Sequence, residues 1–394
     1  MKNRIFSIDI VRGLAIVVMA LDHTRDYFSS GLYNPTNLAH VSAGIFLARW
    51  VTDFCAPAFI FLAGTSAFLF KMRGRTKPEL AFFLLTRGAW LIILEFTLIQ
   101  WGWTFTFDYY YVICQVMWAI GWSMIVLSGL IFLPMSAILA ISIVMIAGHN
   151  LLDSISVNSW GRFGWLWEVL HVPSIETVVK GAARAKILYP LIPWVGVMGL
   201  GYGMGPIFLM EQKERKKRLL KTGIAVTIAF ILIRAINVYG DSYAWSVQKN
   251  ALYTFLSFID CTKYPPSVLY LLMTLGPIFI LLAAFDVNET GPVERFLLTF
   301  GRVPMFFYIL HVPAIHALSV LFAYIKYGHT EWLFGYNMLC LDAATSPDAP
   351  AGYGYNLPIL YIVWIGVVAM LFPFCRWYGR IKKNHPEIRL LSYF

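Results

Sequence analysis

The chain is a succession of long apolar segments separated by shorter polar ones. A helix needs about 20 mostly apolar residues to cross the hydrocarbon core of a bilayer, and about ten segments approach that length. The pattern therefore predicts an all-α fold, a polytopic transmembrane helical bundle of about ten spans. The predicted spans cover residues 6–27, 48–70, 80–103, 112–132, 135–150, 189–210, 219–239, 266–286, 300–325 and 356–376.

Basic residues gather in the short segments between these spans and set the orientation of the bundle. With the ten-span count every cluster falls on one side of the membrane, and the positive-inside rule then puts both termini in the cytoplasm. We expect one integral membrane domain over residues 1–394, with a basic cytoplasmic tail from about residue 377. The clusters lie at residues 2–4, 71–77, 213–221, 295 and 376–389.

The composition supports the membrane class. Of 394 residues 59% are hydrophobic and only 13% are charged, whereas soluble domains are about one quarter charged. The net charge of +10 is confined to the short loops, which is typical of contact with anionic membrane lipid. We therefore expect lipid as a partner and no nucleic acid.

The cysteines give no sign of a metal site. No CxxC pair occurs and metal-ligand spacing is absent, so we expect no bound metal and packing roles inside helices. Cys261 and Cys340 both fall in predicted outer loops, and a disulfide between them is left open. The five cysteines are Cys55, Cys114, Cys261, Cys340 and Cys375.

The first span carries several ionisable residues, which are costly inside a membrane and usually face a bundle interior or a cavity. Asp9 and Arg12 are three residues apart and share a face at the inner end. They could form an ion pair that anchors the helix. Asp22 lies near the outer end, and His23 is rotated by about 100° from it on an ideal helix.

Further ionisable residues lie in three other spans. Asp53 lies at the outer end of the second span, and Arg87 lies in the inner half of the third. The ninth span has Arg302 at its inner end and His311 near its middle. Arginines can hold phosphates, and carboxylates with imidazoles can move protons. The arginines lie toward the cytoplasmic side and most of the histidines and carboxylates lie toward the outer side. This distribution predicts phosphate binding on the inner side and proton transfer on the outer side.

Several short motifs follow one another along the chain. They are Ile8-Asp9-x-x-Arg12-Gly13, Met19-x-x-Asp22-His23, Asp53-x-x-x-Pro57, Phe61-Leu62-Ala63-Gly64-Thr65-Ser66, Tyr189-Pro190-Leu191-Ile192-Pro193-Trp194 and Gly301-Arg302-Val303-Pro304 leading to His311. In this order they resemble the heparan-α-glucosaminide N-acetyltransferase family, and more narrowly the bacterial membrane proteins grouped with it.

The resemblance implies a membrane acyltransferase. Such an enzyme moves an acetyl group from cytosolic acetyl-CoA to an extracytoplasmic sugar or glycan. It also implies an integral, multi-pass protein of the bacterial cytoplasmic (inner) membrane. Whether the chain forms a homodimer is left open, as is the identity of the acceptor.

The resemblance also implies roles for individual residues. The lysosomal relative uses a histidine in the first extracytoplasmic loop, upstream of an Asp-x-x-x-Pro motif whose Asp matches Asp53. That histidine corresponds most simply to His40, although the Trp-Asn that follows it in the relative is absent here. His23 and His311 are its rivals. Asp53 or Asp22 would orient the catalytic imidazole, which acts as a base or accepts the acyl group itself.

The inner arginines complete the implied mechanism. Arg12, Arg87 and Arg302 are the candidate partners of the CoA phosphates. A proton-coupled transporter of a small polar or sugar-like solute is the alternative function, because carriers also bury Asp, Glu and His and use helices broken at the midplane. The glycine-rich sixth span suits a transporter, but the two halves of the sequence show no inverted repeat.

Overall fold

α-Helices account for most of the chain in the computed structural model, which describes residues 5–30, 34–179, 183–335, 343–346, 348–385, 387–388 and 391. The α-helices are α1 (Phe6–Phe28), α2 (Ala43–Trp50), α3 (Cys55–Lys71), α4 (Lys77–Leu94), α5 (Gln100–Thr104), α6 (Val116–Leu130), α7 (Met135–Gly148), α8 (Gly164–Leu170), α9 (Leu191–Gly203), α10 (Gln212–Ile236), α11 (Ala251–Ile259), α12 (Val268–Ala284), α13 (Pro292–Gly301), α14 (Pro304–Tyr327) and α15 (Leu357–Asn384).

Shorter elements connect these helices. Three strands form a small sheet in the order β1-β3-β2, with β2 and β3 antiparallel. The strands are β1 (Tyr111–Cys114), β2 (Ser174–Val179) and β3 (Ala183–Ile187). A π-helix covers Glu95–Ile99, and 3₁₀ turns cover Val51–Phe54, His149–Leu152, Val157–Phe163, Gly205–Leu209, Glu331–Leu333 and Ala343–Thr345.

The predicted spans coincide with helices. In the described part of the chain seven helical stretches are long and apolar enough to cross a membrane, and α6 and α12 are shorter apolar helices. α1 is 23 residues long but carries five charged residues. These ten helical stretches match the ten predicted segments and confirm an all-α polytopic membrane bundle. The seven are Ala43–Lys71, Lys77–Thr104, Met135–Leu152, Leu191–Leu209, Gln212–Ile236, Pro304–Tyr327 and Leu357–Asn384.

The chain divides into two compact units, each assembled from separate stretches of sequence. The first comprises Met1–Ile8, Ala56–Glu95 and Val112–Val287, and the second comprises Asp9–Cys55, Phe96–Tyr111 and Asn288–Phe394. The prediction of one domain over the whole chain stays a prediction. The basic tail predicted from about residue 377 is helical as far as Asn384, because α15 continues that far.

In the first unit, helices approach closely where both carry glycine. A Cβ on Gly88 of α4 would lie 2.5 Å from the carbonyl oxygen of Gly121 in α6, and one on Gly121 would lie 2.7 Å from that of Gly88. Small residues at such crossings let the helix backbones approach closely. Inside lipid the hydrophobic effect does not drive helices together, so this close van der Waals packing stabilises their association. The core of this unit includes the buried rings of Trp194, Tyr202 and Phe279.

Arg234, near the end of α10, ties the loop region of the first unit together. Its buried guanidinium donates to the carbonyl oxygens of Phe258 at 2.9 Å, Tyr243 at 2.9 Å, Ser257 at 3.1 Å and Asp260 at 2.6 Å. Three of these carbonyls belong to the C-terminal end of α11, where unsatisfied carbonyls and the negative end of the helix dipole favour a cation. Arg234 therefore has a structural role.

Local signals in the sequence fix several helix ends. Thr76 and Glu79 form a capping box at the start of α4, and Asn356 caps α15 through the N–H of Ile359. These side chains bond amide groups that the first turn of a helix leaves without partners. α14 ends at Tyr327 and is followed by Gly328, whose φ of 78° lies in the left-handed region that glycine adopts most readily.

In the second unit, α1 forms hydrogen bonds with α15 and with the segment that precedes α15. Trp364 of α15 donates its indole N–H to the carbonyl oxygen of Val17 at 2.7 Å. The Tyr353 hydroxyl donates to the carbonyl oxygen of Tyr27 at 2.8 Å, and the Tyr355 N–H donates to that of Phe28 at 2.8 Å. The end of α1 that carries Asp22 and His23 is therefore firmly positioned.

Candidate active site

Two histidines that are 288 positions apart in the sequence meet in the second unit. Nδ1 of His23, on α1, lies 2.7 Å from Nε2 of His311, on α14. The two rings are nearly parallel, with centroids 4.9 Å apart. His311 is fully buried, whereas His23 is half-buried. His23 is therefore the more accessible member of the pair.

Aromatic rings surround the pair. Trp103 of α5 packs edge-on against His23 with centroids 4.9 Å apart. Phe307 stacks on His311 at 5.2 Å, and Tyr308 lies 5.3 Å from the same ring. These apolar surfaces fix the ring orientations and lower the local dielectric around the imidazoles.

Carboxylates and guanidinium groups form a continuous charged cluster beside His23. Arg49 of α2 donates to Asp53 at 2.7 Å and lies 3.5 Å from Asp22. Arg25 lies 3.1 Å from Asp22 and donates to Asp26 at 2.8 Å. The described ion pairs of this cluster join three carboxylates, Asp22, Asp26 and Asp53, to two guanidinium groups, Arg25 and Arg49. A carboxylate near an imidazole favours the positively charged form of that imidazole.

The structure thus joins the predicted Asp22 and Asp53 in one cluster, through an arginine that the sequence analysis did not select as a site residue. Arg49 stands four residues before Asp53, a spacing that brings side chains together on a helix, and this was the available signal. Nothing in the sequence pointed to Trp103, whose ring meets His23 through tertiary folding alone.

His40 lies in the turn that precedes α2, and its ring is exposed. Its backbone N–H donates to the carbonyl oxygen of Asn37 at 3.0 Å. The catalytic role expected for His40 stays a prediction. The structure gives that position a different environment from the buried, aromatic surroundings of His23.

Arg12 and Arg302 are brought to the same end of the second unit. A Cβ on Gly13 would lie 2.0 Å from the carbonyl oxygen of Leu297, and one on Gly301 would lie 1.8 Å from that of Asp9. This backbone contact between α1 and α13 places Arg12 next to the turn that carries Arg302.

The two arginines differ in their surroundings. The Arg12 guanidinium pairs with Asp9 at 3.2 Å and lies 3.5 Å from the carbonyl oxygen of Gly301. The predicted ion pair of Asp9 and Arg12 is thus present. Arg302 is exposed in the turn before α14.

Arg87 belongs to the first unit. Its guanidinium lies 5.6 Å from the centroid of the Phe83 ring, one turn earlier on α4. Glu95, eight residues further on, is buried at the start of the π-helix and accepts the N–H of Trp118 at 2.9 Å. The expected contact of Arg87 with CoA stays a prediction.

His316, the second histidine of α14, has a structural environment. Its ring is buried, with Nδ1 at 3.1 Å from the carbonyl oxygen of Gly102 and Nε2 at 2.8 Å from that of Leu333. It stacks on Phe105 at 3.8 Å and on Tyr27 at 4.9 Å. Both nitrogens face backbone carbonyls, and a neutral ring donates to one of them, so His316 packs where α14 meets α5 and the 331–335 segment.

An apolar helical bundle that contains a histidine pair and a charged cluster is typical of an integral membrane protein with a polar interior site. The chain belongs to the heparan-alpha-glucosaminide N-acetyltransferase catalytic family, which matches residues 4–239. No curated protein matches the chain. The protein is therefore a membrane acetyltransferase. This membership favours the enzyme over the transporter considered from sequence.

The matched region contains most of the candidate site. It includes the charged cluster, His23 and His40, and it ends before α14 begins. His311 and Arg302, both selected from the sequence of the ninth span, lie outside the matched region. Cys340 lies outside the described residues, so its pairing with Cys261 is left open.

Proposed function

We propose that this protein transfers an acetyl group from cytosolic acetyl-CoA to an amine or hydroxyl of an extracytoplasmic sugar or glycan, with His23 as the base. The observation that carries the proposal is the pairing of His23 with His311, together with the charged cluster formed by α1 and the 43–54 segment. Family membership supplies the acetyl chemistry, and the pair is the described arrangement best suited to proton transfer.

The positions of the arginines and histidines on α1 and α14 support separate binding regions for the CoA phosphates and for the reacting groups. Arg12 and His23 are eleven residues apart on α1, which corresponds to roughly 16 Å along a helix that rises 1.5 Å per residue. Arg302 precedes α14, and His311 lies on its third turn. A donor whose phosphates lie at the arginine end could extend its pantetheine arm along these helices toward the histidines.

The arginine end suits phosphate groups for a second reason. α14 begins at Pro304, two residues after Arg302, so the positive end of the dipole of a 24-residue helix lies close to Arg302. Helix N-termini bind anions through free backbone N–H groups. The positive-inside rule assigns this end to the cytoplasm, where acetyl-CoA is made.

The region around His23 and His311 suits the reaction of the acceptor amine or hydroxyl. The acceptor N–H or O–H gives its proton to the imidazole as its nitrogen or oxygen bonds to the thioester carbonyl carbon. The C–S bond then breaks, and the departing thiolate of CoA takes up that proton. The charged cluster of Asp22, Asp26 and Asp53 with its two arginines stabilises the imidazolium that exists between these steps.

The cellular setting is inferred from the resemblance to bacterial membrane proteins of this family, and the sidedness from the positive-inside rule. We place the chain in the bacterial cytoplasmic membrane with its glycan acceptor on the outer side. Anionic lipid would contact the basic first turns of α10, where Lys213, Lys216 and Lys217 cluster.

The proposal is tested with purified protein reconstituted in lipid vesicles. Radiolabelled acetyl-CoA is supplied on one side and a glucosamine-containing oligosaccharide on the other, and acetyl transfer is measured. Arg302→Gln should raise the KM for acetyl-CoA by about 10-fold or more, because a charge-assisted hydrogen bond contributes about 1.5–3 kcal/mol. The KM for the acceptor should stay unchanged.

Arg295→Gln is the matched control, since Arg295 is an exposed arginine on the neighbouring α13. It should leave both constants unchanged. Absence of acetyl-CoA binding by calorimetry at millimolar ligand, together with absence of transfer, would contradict the proposal. Equal effects of the two substitutions would contradict the role of Arg302.

A further inference from the structure

The hydrogen bonds of His311 determine which of its nitrogens carries a proton. Its Nδ1 lies 2.7 Å from the carbonyl oxygen of Tyr308 and 3.1 Å from that of Phe307, both in the preceding turn of α14. Carbonyl oxygens only accept hydrogen bonds. Nδ1 of His311 is therefore protonated and donates to the backbone of its own helix.

His311 is also neutral at rest. The ring is fully buried, and its described neighbours are the rings of Phe307, Tyr308 and His23. A buried cation without a paired anion is strongly disfavoured. With its proton on Nδ1, a neutral His311 has a lone pair on Nε2.

The tautomer of His23 follows from that lone pair. Nδ1 of His23 lies 2.7 Å from Nε2 of His311, and a lone pair there can only accept. His23 therefore donates through Nδ1, and in its neutral form its basic lone pair is on Nε2. The hydrogen bond made by one ring nitrogen sets the role of the other. Free neutral histidine prefers the opposite tautomer, with its proton on Nε2.

We propose that His311 is the positioning residue of the reaction, which holds His23 in the Nδ1–H tautomer so that Nε2 of His23 takes the proton of the acceptor. The role assigned to His311 rests on the proposed function, in which His23 is the base. The resting tautomer depends on the hydrogen-bond geometry alone.

The hydrogen bond between His23 and His311 also stabilises His23 after it has accepted the proton of the acceptor. When Nε2 of His23 accepts the acceptor proton, its ring becomes an imidazolium, and the bond from Nδ1 to His311 becomes charge-assisted and stronger. The proton then passes from Nε2 to the departing thiolate, and His23 returns to its resting tautomer. His311 gains and loses no proton in this sequence.

The described ion pairs of the nearby carboxylates involve arginines. Asp53 bonds Arg49, while Asp22 and Asp26 face Arg25. These five described groups lie on α1 and on the 43–54 segment, and they bias the protonation of His23 electrostatically. His311 supplies the described contact to Nδ1 of His23, and the orienting role expected for Asp22 or Asp53 stays a prediction.

The first test reads the tautomer in the unmodified protein. Nitrogen-15 NMR of histidine-labelled protein in lipid distinguishes protonated from lone-pair ring nitrogens, and His23→Gln identifies the His23 signals. The expected result is a protonated Nδ1 and a lone pair on Nε2 of His23 at neutral pH. A protonated Nε2 on neutral His23 would overturn the proposal.

The second test changes His311. His311→Met removes the acceptor, so His23 should revert to the Nε2–H tautomer. The kcat for acetyl transfer should fall by about 10²–10⁴-fold, the range for losing a base or its correct tautomer. His311→Gln retains a side-chain carbonyl that can accept from Nδ1 of His23, and it should recover at least part of the activity. A Met variant that keeps the wild-type tautomer and kcat would overturn the proposal.

His316→Gln is the matched control on the same helix. It removes a buried histidine that contacts two backbone carbonyls, so it should lower thermal stability while leaving the His23 tautomer unchanged. The NMR measurement needs no turnover. If the tautomer is as expected and no acetyl transfer occurs, then the proposed function fails while the hydrogen-bond arrangement stands.

Discussion

Arg49 is the residue through which the charged cluster of the second unit is connected. One terminal nitrogen lies near both Asp53 and Asp22 and also donates to the Thr52 hydroxyl at 3.1 Å. The Arg49 and Asp53 side chains are 11% and 8% exposed, so water screens this pair weakly. Removing one partner of a buried pair leaves an uncompensated charge.

We therefore expect Arg49→Leu to destabilise the protein by about 3–5 kcal/mol, the usual cost of breaking a buried ion pair from one side. The double change Arg49→Leu with Asp53→Leu should recover part of that loss, because it also removes the stranded carboxylate. Thermal unfolding in detergent measures both effects.

The control is an exposed arginine pair in the same chain. Arg75 and Glu79 are 3.3 Å apart, with side chains 53% and 49% exposed, and such pairs contribute about 0–1 kcal/mol. Arg75→Leu should therefore change stability by no more than about 1 kcal/mol. If Arg49→Leu were equally mild, then the cluster would be solvated and could not act as proposed.

Part of this site was predictable from the sequence. Asp22 and His23 stood out because ionisable residues are costly inside a span, and Asp53 stood out through its motif. The partner of His23 could not be chosen, since His311 is 288 positions away and the helical periodicity of α1 says nothing about which helix packs beside it.

At the scale of helices, the contact of α1 with α13 depends on two glycines. Gly301 is the tighter position, because a Cβ there would lie 1.8 Å from the carbonyl oxygen of Asp9. A backbone atom cannot move aside as a flexible side chain can. The helices must therefore separate if any side chain is added.

Gly301→Ala should destabilise the protein by about 1–3 kcal/mol or more, the cost of overpacking a close contact. Because Arg302 follows directly, the same change should raise the KM for acetyl-CoA. Thermal unfolding and transfer kinetics measure the two effects.

Gly366→Ala provides the comparison within α15, where an added Cβ would have nothing within 4 Å. Alanine is a better helix former by about 1 kcal/mol, so this variant should be neutral or slightly more stable. Equal behaviour of the two alanine variants would show that α1 and α13 do not touch as described.

The spans were predictable and their interruptions were not. Ten apolar segments became ten helical stretches because the length of a bilayer-crossing helix is fixed by membrane thickness. The π-helix at Glu95–Ile99 and the small sheet at residues 111–114, 174–179 and 183–187 follow from packing and strand pairing. Hydropathy does not encode these tertiary effects.

At the scale of the whole molecule, the orientation of the chain decides which substrate each end can meet. The positive-inside rule puts the basic segment at residues 213–221 in the cytoplasm and the 240–265 loop outside. Lys217 and Tyr243 are exposed representatives of these two regions.

Single cysteines test this orientation in intact cells with a thiol reagent that does not cross membranes. Tyr243→Cys should be labelled from outside, and Lys217→Cys should be labelled only after the membrane is opened. The unmodified chain gives the background from its native cysteines. The opposite pattern would invert the topology and remove the assignment of donor and acceptor sides.

The division of the chain into two units was not predictable from the sequence. Each unit is built from three separate stretches, and hydropathy alone gives an unbroken series of spans. The second unit holds the histidine pair, the charged cluster and two of the three candidate arginines, so most of the proposed chemistry lies within it.

The most direct test of the central claim compares His23→Ala with His40→Ala in the same acetyl-transfer assay, at equal amounts of folded protein in lipid vesicles. If His23 is the base, its loss should lower kcat/KM by at least about 100-fold, the usual contribution of a general base. His40→Ala should stay within a few-fold of the unmodified enzyme. Full activity in His23→Ala with a large loss in His40→Ala would contradict the account and return the catalytic role to the exposed loop.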